Sequence, residues 1–214
     1  KSYRRNRRVI KKMNKNTKKK VSADNKSIAN FLFEVGMLAK TPRSGFHFLG
    51  TGEQSVAEHV NRTAFIGYTL AQMDGTVDTL KVLKMCLFHD LSETRISDLN
   101  HIHQKYVERK EHSAIQDITD SVPFGKDMFD TLSEYEKRES KEAIIVKDSD
   151  SLEWILALKE EIDTGNSRAA DWISFAIGRL KTPQAREIAD AIMNTDSNDW
   201  WFPEGSVIRQ KKYL

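Results

Sequence analysis

The stretch Phe88-His89-Asp90-Leu91-Ser92-Glu93-Thr94-Arg95-Ile96-Ser97-Asp98 places four metal- or proton-handling side chains within ten residues. His89 and Asp90 are adjacent ligand types. Glu93 lies four residues past His89, so on a helix the two share a face. Asp98 follows, near an expected helix end. The approach, Leu80, Leu83, Leu87 and Phe88, is apolar at helical spacing, which predicts a largely buried helix from about Asp78 to Arg95. A His-Asp pair delivered to a buried end needs a partner, and a metal ion is one of the few good ones.

Upstream, Ile28, Phe31, Leu32, Val35 and Leu38 form one apolar face and predict a helix from about Asp24 to Ala39. Thr41-Pro42-Arg43-Ser44-Gly45-Phe46 breaks it. Arg43 has two readings here, a solvated loop cation or an anion clamp turned into a cleft. Ser55-Val56-Ala57-Glu58 reads as a capping box, opening a helix to about Met73 with His59 in its first turns. A lone histidine so placed is usually structural; other ligands are needed to make it more.

Downstream, helices are expected at about Tyr106–Asp120, with Val107, Ile115 and Ile118 inward, and at Asp127–Lys137. The pair His101 and His103 is a weak metal signal on a loop. A long apolar helix follows from Glu142 to Ile162, interrupted by Asp148 and Asp150. A carboxylate there is costly unless paired or metal-bound, so one of the two is a ligand candidate; periodicity does not choose. Gly165-Asn166 ends that helix, and two more are expected at Ser167–Leu180 and Pro183–Asn194. Trp200-Trp201-Phe202-Pro203 reads as a packing plug or subunit contact. No strand alternation, Gly-rich phosphate loop or internal repeat is present, so the chain reads as all-α.

The chain of 214 residues is long enough for one substantial core. Residues 1–20 hold eleven of the 34 Lys/Arg and no acid, leaving 23 basic against 31 acidic residues in an acidic body. Residues 1–23 are expected to be a basic, flexible tail and 24–214 the folded domain. Nucleic-acid contact by the tail is the functional reading of that run, but Tyr3 alone gives no aromatic interleaving. Cys86, the single cysteine, excludes an intramolecular disulfide and reads as a buried thiol. No apolar run approaches the ~18 residues of a membrane span, and no secretory signal is evident, so a cytoplasmic setting is expected.

His59, His89, Asp90 and Asp148 or Asp150 therefore form a candidate site drawn from several helices. Two imidazoles and two carboxylates suit Mn, Fe, Co, Ni or Zn rather than Ca or Mg. Such an ion acidifies water and neutralises an anionic oxygen, and Glu93 is placed to move a proton.

These residues carry a resemblance. His59…His89-Asp90…Asp150 is similar to the H…HD…D signature of the HD-domain metal-dependent phosphohydrolases. The segments Pro42–Phe46, Ser55–His59, His89–Glu93, Ser97–Leu99 and Val146–Asp150 resemble the 5′-deoxynucleotidase subgroup. The resemblance covers about residues 27–195. It implies an α-helical HD-domain bundle with a metal site between helices, often a homodimer, holding one divalent ion. It implies hydrolysis of nucleoside 5′-monophosphates, mainly the deoxyribo forms, to nucleoside and phosphate. By position it selects Asp150 over Asp148 as the fourth ligand beside His59, His89 and Asp90. It gives Glu93 and Asp98 the proton transfers, Arg43 the phosphate, and Phe46 the sugar or base. The chain departs from the family in three places: Phe46 stands near a usual Trp, Ser97 at a usual Gly, and Asn100 at a frequent Pro.

Two other readings differ in chemistry. One is an HD hydrolase of another phosphate compound, such as a nucleoside triphosphate, cyclic dinucleotide or guanosine alarmone. The other is a non-catalytic, metal-stabilised module that binds polyanions through the tail.

Overall fold

The computed structural model describes residues 22–201, and these are helical without a β-strand. In chain order the helices are α1 (Ala23–Val35), α2 (Phe46–Leu49), α3 (Val56–Asp74), α4 (Thr79–Phe88) and α5 (Glu93–Ile96). They continue with α6 (Glu111–Asp120), α7 (Gly125–Lys137), α8 (Lys141–Asp163), α9 (Ser167–Ile177) and α10 (Pro183–Met193). Short 3-10 turns cover Gly36–Lys40 and His103–Lys105. None of the described helices is long and apolar enough to cross a membrane. The expected basic tail and Phe202-Pro203 lie outside the described residues, except that Ser22 caps α1 and Ala23 begins it. Trp200 and Trp201 meet edge to face and are exposed, so neither is buried in the core.

Helix α8 is the axis of the molecule. It packs against α3, α4, α7, α9 and α10. Ala143, Val146, Leu152, Ile155 and Leu158 are buried along its length, and so are Asp148, Ser149 and Glu153. Neighbours on several sides bury residues around its whole circumference, polar ones included, which is why its sequence shows little amphipathic contrast. Helices α3 and α4 pass close beneath it because Gly67 has no side chain. A Cβ there would stand 2.5 Å from Cys86 Sγ and 3.2 Å from Val82 Cγ1. Cys86 is buried, as expected, and burial pushes its thiol up to about 12.

Of the two carboxylates that interrupt α8, Asp148 is structural. Its oxygens accept the backbone N–H of Lys181 at 2.9 Å, the N–H of Thr182 at 2.7 Å and the Thr182 hydroxyl at 2.7 Å. These groups open α10, whose first amides have no partner within the helix. Asp148 thus ties α10 to the axis.

Three expected elements are corrected. The helix expected to run to Arg95 ends at Phe88; tighter bonds from Leu91 N–H to Phe88 O and from Glu93 N–H to Asp90 O turn the chain into α5. Its buried face is Val82, Met85 and Cys86, while Leu80 and Leu87 are exposed at 66% and 50%. The helix has apolar residues on two faces, and it is the face carrying Val82, Met85 and Cys86 that is buried. The helix expected from Tyr106 begins at Glu111, leaving Val107 exposed, though Ile115 and Ile118 are buried. The first helix stops at Val35 and tightens into a 3-10 turn through Lys40; Leu38 is buried but Leu32 is exposed.

Ser97, which closes α5, adopts φ 64° and ψ 165°, a region open essentially only to glycine. Ser97→Gly is expected to raise unfolding free energy by about 1 kcal/mol, relief of strain exceeding the added chain entropy. Asp148→Ala is expected to lower it by about 2–4 kcal/mol by orphaning the Lys181 and Thr182 amides and the Thr182 hydroxyl, without weakening metal binding. Denaturant unfolding checks both.

Candidate metal centre and substrate cavity

Four side chains converge where α3, α4 and α8 meet. The Ser55–Glu58 capping box fixes the start of α3, with Ser55 Oγ accepting the Glu58 N–H and the Glu58 carboxylate accepting the Ser55 N–H. One residue on, His59 enters the interior and is fully buried. His89 stands at the end of α4, and Asp90 begins the turn after it. Asp150 comes from the middle of α8. His59 Nε2 lies 3.2 Å from His89 Nε2, 3.4 Å from Asp90 Oδ2 and 3.3 Å from Asp150 Oδ1. His89 Nε2 lies 3.3 Å from the same Asp90 oxygen.

The other ring nitrogens decide what this cluster accepts. His89 Nδ1 lies 2.8 Å from the Cys86 carbonyl, and His59 Nδ1 lies 2.6 Å from Glu153 Oε2. A carbonyl and a carboxylate only accept, so each Nδ1 carries the hydrogen and each neutral ring turns a lone pair inward at Nε2. Two lone pairs and two carboxylates then face one another, and Asp90 Oδ2 is buried without a hydrogen-bond donor. A cation resolves that conflict. Donors held about 2.1 Å from one ion stand roughly 3.0–3.4 Å apart in octahedral to tetrahedral shells, which matches the separations here. Among the described residues, His59, His89 and Asp150 bring donor atoms within 4.8 Å of one another, and Asp90 Oδ2 lies 3.4 Å and 3.3 Å from the two imidazoles.

The electrostatics agree. Burial and Arg43 pull the His59 pKa down, but Asp150, Glu153 and Asp90 outweigh them and bring it to about 9. Burial would raise the Asp150 carboxyl; Lys147, 2.7 Å away, and His59 hold it well below the usual range. Without an ion, the surplus negative charge draws a proton to this cluster.

A cavity of about 940 Å³ opens beside the cluster. Arg43, Glu93, Asp98 and Asp150 line it. Arg43 is largely buried, with Nη1 3.7 Å from Asp90 Oδ2 and 3.8 Å from Asp98 Oδ2, so it is turned inward rather than solvated. Asp98 Oδ2 also accepts the Ser44 N–H at 2.9 Å, tying the Arg43 loop to the segment after α5. Glu93 is buried and its Oε2 has no partner; burial, then Asp90 and Asp98, push its pKa up to about 9. Phe46 is buried, and its ring meets Trp154 edge-on at 5.3 Å; Trp154, not Phe46, lines the cavity. His101 and His103 are exposed and lie outside the metal cluster.

Sequence reading passed over Glu153. It is fully buried, accepts from His59, from Gln54 at 2.6 Å and from Arg62 at 2.9 Å, and is held down to about 2 by His59 and Arg62 despite burial. Its signal was a third carboxylate in the apolar run of α8, three residues after Asp150.

The HD domain family model matches residues 35–193. The chain belongs to the HD-domain family. Among curated HD-domain relatives, 5′-deoxynucleotidase HDDC2 of Dictyostelium discoideum is 36% identical over 149 residues, 62% of this chain and 78% of that protein. The Xenopus laevis protein of the same name is 28% identical over 179 residues, 80% of this chain and 88% of that one. A solved structure, a conserved hypothetical protein from Pyrococcus furiosus, is 29% identical with a TM-score of 0.65, covering 78% of this chain and 99% of that one. The all-α bundle read from the sequence is thus the HD-domain fold.

Glu153→Gln retains an acceptor for His59 Nδ1 but removes the charge that makes its Nε2 a strong donor to metal. Manganese affinity, measured calorimetrically on chelator-stripped protein, is expected to fall about 10- to 100-fold with the helical circular dichroism unchanged.

Proposed function

We propose that His59, His89, Asp90 and Asp150 hold one divalent ion, with which this HD-domain enzyme hydrolyses nucleoside 5′-monophosphates to nucleoside and phosphate. The observation that carries the site assignment is the convergence of the two imidazole Nε2 atoms beside Asp90 and Asp150. The deoxynucleotidase names of the curated relatives support deoxyribonucleotides as the preferred class. Two imidazoles with two carboxylates suit Mn, Fe, Co, Ni or Zn. A bound ion supplies Lewis acidity, acidifying water and offsetting charge on a phosphoryl oxygen.

The remaining chemistry falls to the chain. Arg43 holds the phosphate, its charge secured by Asp90 and Asp98, and Lys147 adds a second cation at the cavity wall. Glu93 is the proton carrier: its Oε2 is buried, unpartnered and on the cavity. Protonated while no ion is bound, it would ionise beside a bound cation and would then take a proton from the attacking water as the new P–O bond forms. A proton is returned to the sugar 5′-oxygen as the old P–O bond breaks. Asp98 fixes the Arg43 loop through Ser44 and orients the water or the leaving oxygen with its remaining oxygen. A homodimer fits the exposed Leu32 and Phe33 of α1.

The test is phosphate release from ribo- and deoxyribonucleoside 5′-monophosphates after chelation and return of each metal. Glu93→Ala is expected to cut turnover by a factor of about 10² or more with metal content near wild type. Full turnover in that variant would remove Glu93 from the mechanism. Release only from triphosphates or cyclic dinucleotides would replace the substrate class.

A further inference from the structure

The cavity of about 940 Å³ is far larger than a phosphate needs, and near the upper end of the ~300–1,000 Å³ range of small-molecule sites. Its far wall is aromatic. Trp154 lies four residues after Asp150 on α8, so its indole rises from the same face one helical turn, about 5.4 Å, along the axis. Trp172 of α9 stands beside it, ring centroids 6.2 Å apart and planes at 43°. Phe175, one turn further along α9, is 69% exposed and carries the Arg179 guanidinium 4.6 Å above its ring. Trp154, Trp172, Phe175 and Arg179 all border the cavity, as does Asp171.

Both indoles lean on the main core yet remain only partly buried, and both border a cavity whose other lining is mostly polar or charged. Gly45 passes so close that a Cβ would stand 3.2 Å from the Trp154 ring, so the Arg43 loop is pressed against the indole. The phosphate anchor and the aromatic wall are thereby held in one fixed relation.

We infer that Trp154 and Trp172 form the nucleobase subsite, stacking the base of a nucleotide whose phosphate lies at the metal centre. This rests on the nucleotide reading proposed above. Phe46, the residue expected from the family resemblance to touch sugar or base, instead braces Trp154 from behind. Stacking is tolerant of base identity, because every base presents a π-face. Purine and pyrimidine nucleotides are therefore both accepted, and a sugar phosphate lacking a base is a poor substrate.

The experiment compares deoxyadenosine 5′-monophosphate with 2-deoxyribose 5-phosphate, using the full chain with manganese. The ratio of their kcat/KM values is expected to fall about tenfold or more in Trp172→Leu and in Trp154→Leu, and to stay near wild type in Trp172→Phe. An unchanged ratio in the leucine variants, with the nucleotide still preferred, would overturn the subsite. Should wild-type protein hydrolyse neither compound, the phosphatase reading fails and indole fluorescence decides the wall separately. Saturable quenching by deoxyadenosine 5′-monophosphate, absent with the sugar phosphate and lost in Trp172→Leu, would uphold it; no quenching would sink it.

Discussion

Two imidazole Nε2 atoms face each other across 3.2 Å in the interior of this protein. Neither ring can turn its Nδ1 inward instead, because Glu153 holds one Nδ1 and the Cys86 carbonyl holds the other. With no cation between the rings the surrounding carboxylates keep a proton on His59, and a cation would take that proton's place. The helices α3, α4 and α8 must meet in one register for the donors to coincide, so core packing and metal affinity are linked. The packing at Gly67 and the capping box at Ser55 serve that register from opposite ends of the crossing. Binding energy at the centre then becomes folding energy for the bundle.

Helix α8 shows how one element distributes charge in a core. Asp148, Asp150 and Glu153 all occur within six residues of an otherwise apolar run. At about 100° per residue they leave the axis in different directions. Asp148 meets the amides that open α10, Asp150 faces the metal cluster, and Glu153 lies behind His59. Asp148 is satisfied by backbone and the Thr182 hydroxyl, Glu153 by imidazole and arginine, and the partly buried Asp150 lies against His59 and Lys147. Carboxylates on one helix thus serve architecture, the proposed ligation and imidazole orientation, and the partner determines which.

The helices with strong periodicity and end signals were legible in the sequence. Ser55–Glu58 and Pro183 set starts that the structure keeps within a residue. The turn after Phe88 was not legible, because no Gly or Pro marks it; the demand that Asp90 and Glu93 reach one cavity is tertiary. The buried face of α4 was misread for a related reason, since its leucines are more apolar than the Val82, Met85 and Cys86 that fit the crossing. His59, His89 and Asp90 were recoverable as ligand types, and resemblance rather than periodicity separated Asp150 from Asp148. Ser97 adopts a backbone conformation that favours glycine, which spacing alone did not reveal. Trp154 and Trp172 carried no functional signal in the sequence, because only the fold brings them together at the cavity wall.

The most direct measurement is the number of divalent ions bound per chain, by equilibrium dialysis of chelator-stripped protein against manganese, in wild type and in Asp150→Ala. One tightly bound ion per chain in wild type, lost in the variant, is the predicted result. A wild-type chain that binds none, or a variant that binds as wild type does, would contradict the assignment of the facing imidazoles, Asp90 and Asp150 as a metal centre.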